Sequence, residues 1–229
     1  MTRRYLVLSH LLHGEAPVWS GNPPAAEIEH TESIDRGDIA NTTRLHLFSH
    51  SGTHVDTPRH FNPDGPAAWQ LPIDAYVFQA PRVIELPKPD GGFITLDDLS
   101  PHDRNIAAAD LVLLRTGWGT LREGEPSRYV EHGPLLHPAA ARWLIDEHPM
   151  LRAIATDGVS IGSPSRPEPT IETHHVLTGV GRTDGRFVLI YEDVRIPPEV
   201  ADAIRVFAWP LFVVGADGSP CTIVAELPS

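Results

Sequence analysis

The 229-residue chain has a single cysteine, Cys221. One thiol excludes any intramolecular disulfide, which suits a reducing compartment. Positive charge is also scarce. Eighteen Lys and Arg stand against 30 Asp and Glu, a net charge of −12 with histidine neutral. No basic stripe appears, which argues against nucleic acid and anionic membrane as partners. Long apolar runs are missing: none approaches the ~18 residues of a membrane-spanning helix. The apolar stretch near the N-terminus is too short for a secretory signal. Repeats, low-complexity tracts and linkers are absent. The expectation is a soluble, cytoplasmic protein folded as one domain over residues 1–229, with 41% hydrophobic residues to fill its core.

Histidine, by contrast, is plentiful, at 13 residues. Three histidines and one aspartate crowd into His50-Ser51-Gly52-Thr53-His54-Val55-Asp56-Thr57-Pro58-Arg59-His60. Neutral imidazole and carboxylate are the usual ligands of zinc and neighbouring divalent ions. An open metal centre of this kind points to hydrolysis. A helix does not fit the spacing. At ~100° per residue His50 and His54 would share a face, but Asp56 and His60 would not. Gly52 and Pro58 also oppose a helix interior. In an extended chain all four share parity and point one way. A straight run would span ~33 Å, too far for one site. The segment must therefore bend, and Gly52 and Pro58 are the expected bends.

Such a centre needs closing ligands. His174-His175 and Glu192 are the downstream candidates, the latter following the apolar run Phe187–Tyr191. Trp19 sits in a Pro/Gly loop, where it either caps the core or walls a pocket. Cys221, in an apolar stretch, is expected to be an inert buried thiol.

Strands are expected at Tyr5–Leu8, Thr42–Phe48, Val77–Leu86 with an interruption at Pro81, Leu111–Thr116, Leu151–Thr156, Phe187–Tyr191, Val206–Val214 and Thr222–Glu226. The last two flank a turn at Asp217-Gly218. Pro138–His148 reads as the clearest helix, with Pro in its first turn. A short helix is expected after Thr95, and another over Pro197–Ile204. The elements lack a regular βαβ rhythm. The expected fold is therefore α/β, a mixed, barrel-like β core with outer helices.

The segment from His50 to His60 resembles the His-x-Gly-Thr-His-x-Asp-x-Pro-x-His signature of the cyclase family, which includes bacterial kynurenine formamidases and isatin hydrolases. Pro17-Val18-Trp19-Ser20-Gly21 resembles the family's tryptophan loop, and Leu113-Leu114-Arg115-Thr116-Gly117-Trp118 an internal family segment. The resemblance implies a swivelling β/α-type fold and one or two divalent ions, Zn or Mn. It implies that His50, His54 and Asp56 bind one ion, and that Asp56, His174 and Glu192 bind a second. His60 would be the catalytic acid/base and Trp19 would bind substrate. His174 is preferred over His175 because Leu177 then falls at the family spacing. The interval from His174 to Glu192 is longer than usual, through an insertion around Gly181–Gly185. Ser20 and Asn22 replace a common Pro and Asp.

The implied activity is amide hydrolysis. An arylformamidase converting N-formylkynurenine to kynurenine and formate comes first. Opening of a cyclic amide such as isatin is the rival, and a metal-binding module without catalysis the third reading. The implied assembly is a homodimer or homotetramer. A serine nucleophile on a Gly-x-Ser-x-Gly elbow is not expected.

Overall fold

A computed structural model describes residues 4–229. Thirteen strands are seen among the described residues: β1 (Arg4–Val7), β2 (Ala26–Glu32), β3 (Thr42–Leu47), β4 (His54–Asp56), β5 (Val77–Phe78), β6 (Pro81–Glu85), β7 (Phe93–Ile94), β8 (Leu111–Arg115), β9 (Leu135–Leu136), β10 (Ala153–Thr156), β11 (Leu189–Glu192), β12 (Arg205–Pro210) and β13 (Gly218–Leu227). The α-helices are α1 (Leu96–Leu99), α2 (Asp103–Ala107), α3 (Pro126–Glu131), α4 (Pro138–Glu147) and α5 (Pro167–Leu177).

Nine of the strands form one mixed sheet in the order β5-β12-β13-β4-β11-β10-β8-β6, with β1 also on β13. The four strands β6, β8, β10 and β11 run parallel, while β4, β12 and β13 pair antiparallel. The helices between the parallel strands are short and irregular. They conceal a βαβ alternation that the sheet nonetheless contains. The end strands β5 and β6 are joined by only Gln79 and Ala80, so the sheet curls until its edges nearly meet. Asp110 secures that seam, accepting from the backbone N–H of Gln79 at 2.7 Å and of Ala80 at 2.9 Å. Arg152 adds bonds to Asp110 at 3.1 Å and to the Val77 carbonyl at 2.6 Å. The fold is thus a mixed α/β structure with a nearly closed, barrel-like sheet.

The strands are apolar on both faces, as parallel sheets covered on both sides require. In β8, Leu111 and Leu113 enter the core inside the sheet, while Val112 and Leu114 enter the one beneath the helices. Ala153, Ala155, Leu189, Tyr191 and Val55 follow the first pair, and Ile154 and Ile190 the second. Helix α4 covers the outer face with Ala140, Ala141, Leu144 and Ile145. Thr95 opens α1, its N–H and hydroxyl both donating to Asp98 at 2.7 Å. Cys221 is buried within β13.

Some expectations need correction. The segment expected as a strand over Val206–Val214 ends at Pro210, and residues 211–215 are exposed. Strand β2 was not foreseen. It pairs with β3 as a hairpin whose residues are mostly exposed on both faces, so no apolar alternation marks it. Helices α3 and α5 were also not foreseen, and both begin at a proline. Pro126 and Pro167 occupy the first turns, where no intrahelical N–H is needed.

Candidate metal centre

The alternation of a strand builds the site. Val55 of β4 points into the inner core, so His54 and Asp56 face the opposite side. Strand β11 is antiparallel to β4, with Glu192 opposite His54 and Ile190 opposite Asp56. Glu192 is the last residue of that strand, and it shares the face of His54 and Asp56. Helix α5 shares an apolar cluster with Ile190 through Leu177, and its last turn brings His174 over the same face. Gly52 has φ +59 and Pro58 opens a 3-10 turn ending at His60. Those two residues bend the chain so that both ends of the motif reach one place.

His54 and His174 are oriented alike. Each Nδ1 donates to a backbone carbonyl at 2.8 Å, that of Gly52 for His54 and of Thr170 for His174. That bond keeps a proton on Nδ1 and turns Nε2 inward, as the nitrogen that can ligate once its own proton leaves. His54 Nε2 is buried without a hydrogen-bond partner, 3.4 Å from Asp56 Oδ1 and 3.5 Å from Glu192 Oε2. His174 Nε2 lies 3.4 Å from Glu192 Oε1 and 3.7 Å from Asp56 Oδ2. Glu192 is steadied by the Ser160 hydroxyl at 2.8 Å and the Ile161 N–H at 2.7 Å. Two imidazole nitrogens and two carboxylates converging in a buried spot suit a divalent cation. His175 is half-buried and meets the edge of Phe61 instead, at 5.4 Å between ring centroids.

His50 and His60 form a second, more open group. His50 Nδ1 is 2.7 Å from Asp56 Oδ1, and its Nε2 is 2.8 Å from Asp217 Oδ2. His60 Nδ1 reaches that same Asp217 oxygen at 2.9 Å. The two imidazoles lie side by side, centroids 3.8 Å apart. His60 Nε2 is 4.0 Å from Asp56 Oδ2.

The charges reinforce one another. Burial alone would lower His50, but Asp56 and Asp217 outweigh it and push its pKa up to about 9. His54 and His174 are likewise raised against their burial, by Asp56 and Glu192 in each case. Burial would raise Asp56, yet His50, His60 and His54 hold it well below the carboxylate range. Glu192 is brought down to about 2 by His174 and His54, against burial and the neighbouring Asp56. Bonds from His50 and His60 hold Asp217 far below the usual range. Protons on the histidines therefore hold positions that a divalent cation would contest.

The cluster floors a cavity of about 380 Å³. Trp19 is half-buried on its wall, with Val18, Phe48, Phe61 and Ile171. The insertion after His174 folds as a surface turn, closed by the Val188 N–H on the Leu177 carbonyl at 2.7 Å, and leaves His174 in place.

Sequence reasoning missed two features. Gly158-Val159-Ser160-Ile161-Gly162 does fit the Gly-x-Ser-x-Gly pattern. Ser160 is buried, however, and its hydroxyl is spent on Glu192 and on the Gly162 N–H at 3.0 Å, not on a histidine base. Asp217 was read as half of a hairpin turn. It instead precedes β13 and reaches into the site. The one available signal was an acid beside glycine close to a buried strand, which turn chemistry also explains.

The comparisons agree with this geometry. A family model described as "Putative cyclase" matches residues 6–163. The kynurenine formamidase of Geobacillus thermodenitrificans is 28% identical over 223 residues, 96% of each chain. That of Erythrobacter litoralis is 29% identical over 229 residues, 99% of this chain and 95% of its own. Isatin hydrolase A from Labrenzia aggregata shares the fold, with a TM-score of 0.84 at 24% identity over 99% of this chain and 94% of its own. With the motif, the sheet and the converging ligands in agreement, the chain belongs to the cyclase family.

Proposed function

We propose that the protein, acting as one domain over residues 1–229, is a metal-dependent amide hydrolase, an arylformamidase that converts N-formylkynurenine to kynurenine and formate. The observation that carries this reading is the pair of inward imidazole nitrogens, His54 Nε2 and His174 Nε2, facing the shared carboxylates Asp56 and Glu192 at the floor of a cavity. His50, His54 and Asp56 would hold one ion, Zn or Mn, and Asp56, His174 and Glu192 a second. A bound divalent ion supplies Lewis acidity, polarising a carbonyl and bringing the pKa of water from ~15.7 towards ~7.

The residues supply the rest. His60 accepts a proton from the attacking water and returns it to the leaving nitrogen, as the C–N bond breaks and the new C–O bond forms. Trp19, Phe48 and Phe61 hold the aromatic part of the substrate and keep bulk water away. The full-length similarity to two kynurenine formamidases supports the formamide.

One observation favours a second reading, opening of a cyclic amide such as isatin. Beyond the metal cluster, the described cavity wall offers Asn22, Ser160 and Thr170 as polar side chains and no Lys or Arg. A neutral ring needs no counter-charge, whereas an amino-acid carboxylate does. Similarity in fold to an isatin hydrolase supports the same alternative.

The test is direct. Chelator-treated protein, reloaded with zinc or manganese, is assayed on both compounds by absorbance. Turnover of N-formylkynurenine above isatin supports the first reading, and the reverse order the second. Metal uptake without turnover of either would leave a metal-binding module. No metal uptake would remove all three.

We further propose a cytoplasmic homodimer or homotetramer. The β2–β3 hairpin supports it, since Ile28 and Leu45 are exposed on a two-stranded arm that is marginal without a partner. No helix among the described residues is long and apolar enough to cross a membrane.

A further inference from the structure

Asp217 lies outside the signature motif, yet it makes close polar contacts to two of the motif's histidines. A single oxygen, Oδ2, accepts from His50 Nε2 at 2.8 Å and from His60 Nδ1 at 2.9 Å. The other oxygen accepts from the Ser49 hydroxyl at 3.1 Å, and the Asp217 carbonyl accepts from Thr57 at 2.6 Å. The carboxylate is therefore fixed before it meets either ring. Its neighbour Gly218 permits the approach. A Cβ there would come within 2.6 Å of His50 Cε1 and 2.8 Å of the Val55 carbonyl oxygen.

An acceptor that engages one ring nitrogen decides what the other can do. With Nε2–H given to Asp217, His50 presents Nδ1 to Asp56. With Nδ1–H given to Asp217, His60 presents Nε2 to the site. The two rings thus expose opposite nitrogens because one oxygen lies between them. We infer that Asp217 is a shared positioning residue, setting the tautomers of His50 for metal binding and of His60 for proton transfer. This rests on the metal-dependent reading above, and it ties ion affinity and turnover to one carboxylate that touches neither.

The experiment compares wild type, Asp217→Asn, Asp217→Ala and Gly218→Ala in the full chain. Zinc affinity is measured by competition with a chromogenic chelator, and the ring nitrogens of His60 by long-range 1H–15N NMR of the metal-free protein. Urea unfolding serves as the control for folding. In wild type, His60 carries its proton on Nδ1. Asp217→Ala shifts that proton toward Nε2 and weakens zinc binding about 10- to 100-fold. Asp217→Asn, which keeps one acceptor oxygen, falls between the two. Gly218→Ala, whose Cβ meets His50 and the Val55 carbonyl but not His60, weakens zinc binding and leaves the His60 tautomer as in wild type. On whichever amide proves to be turned over, Asp217→Ala lowers kcat with KM within about twofold, as loss of a transition-state contribution does.

Unchanged His60 nitrogen shifts together with zinc affinity within twofold of wild type in Asp217→Ala would overturn the inference. A loss of affinity that merely tracks a loss of stability, with the tautomer intact, would overturn it too. Wild-type protein that fails to bind zinc or manganese would instead sink the hydrolase reading. The tautomer measurement would still decide whether Asp217 positions His60.

Discussion

The two halves of the site are held by different means. His54 and His174 are buried, and each is anchored through Nδ1 to a backbone carbonyl. His50 and His60 are half-buried and anchored to the Asp217 side chain, which itself precedes β13. Backbone carbonyls move only when the fold moves, so the inner pair is as rigid as β4 and α5. A side-chain anchor can be changed without unfolding anything. On the proposed reading the inner half grips an ion, while the outer half adds His50 to that grip and offers His60 for proton transfer.

The largest effects would test whether the halves separate. Asp56 is the one carboxylate that faces both. Asp56→Ala should abolish metal binding and turnover together, beyond the ~100-fold loss typical of an outer-sphere partner; elemental analysis and activity on one preparation would show this. His60→Ala should keep its metal and lose roughly 10²- to 10⁴-fold in kcat. Equal loss of metal from both variants would erase the distinction between a metal ligand and a proton-transferring His60.

The adjacent histidines sharpen the same comparison. His174→Ala should cost at least tenfold in metal affinity, read by chelator competition, while His175→Ala should leave it within twofold. A large effect at His175 would mean that α5 presents its other face.

Acidity gives a smaller effect with a definite sign. In metal-free protein Asp56 and Asp217 push the His50 pKa up to about 9, against 6.5 for an unperturbed histidine. A raised pKa means that the folded state favours the protonated ring. Its contribution is complete below pH 6.5 and lost as pH rises through 9. The unfolding free energy of the metal-free protein, from urea titrations, should fall over that window by something on the order of 2 kcal/mol. Metal affinity should move oppositely, rising with pH as protons cease to compete. A flat stability profile in chelator would show that His50 is not held between Asp56 and Asp217.

The smallest change concerns the wall. Trp19→Ala should raise KM about tenfold, the loss of ~1.4 kcal/mol of apolar contact, with kcat little altered. A fall in kcat alone would mean that Trp19 orients the reacting group instead of merely holding the ring.

Much of the inner half was legible because it obeys a short-range rule. His54 and Asp56 share a face by strand parity, and Gly52 and Pro58 announce the bends. Continuous apolar runs likewise marked β8 and β10. What escaped notice is what depends on distant partners. The Asp217-Gly218 pair has the chemistry of a hairpin turn, and only the pairing of β13 with β4 carries it into the site. Hairpin β2–β3 lacks an apolar face, so periodicity could not reveal it. Helix α5 begins with Pro167-Glu168-Pro169, which looks like a breaker until the first turn is counted. The fit of Gly158–Gly162 to a nucleophile pattern shows the converse, since Ser160 serves Glu192.

One measurement bears most directly on the whole account: anomalous diffraction from crystals grown with zinc or manganese, recorded on either side of the metal's absorption edge. The account predicts a peak in contact with Asp56 and either with His50 and His54 or with His174 and Glu192, or one at each place. Metal-replete crystals with no peak among those five side chains would contradict it.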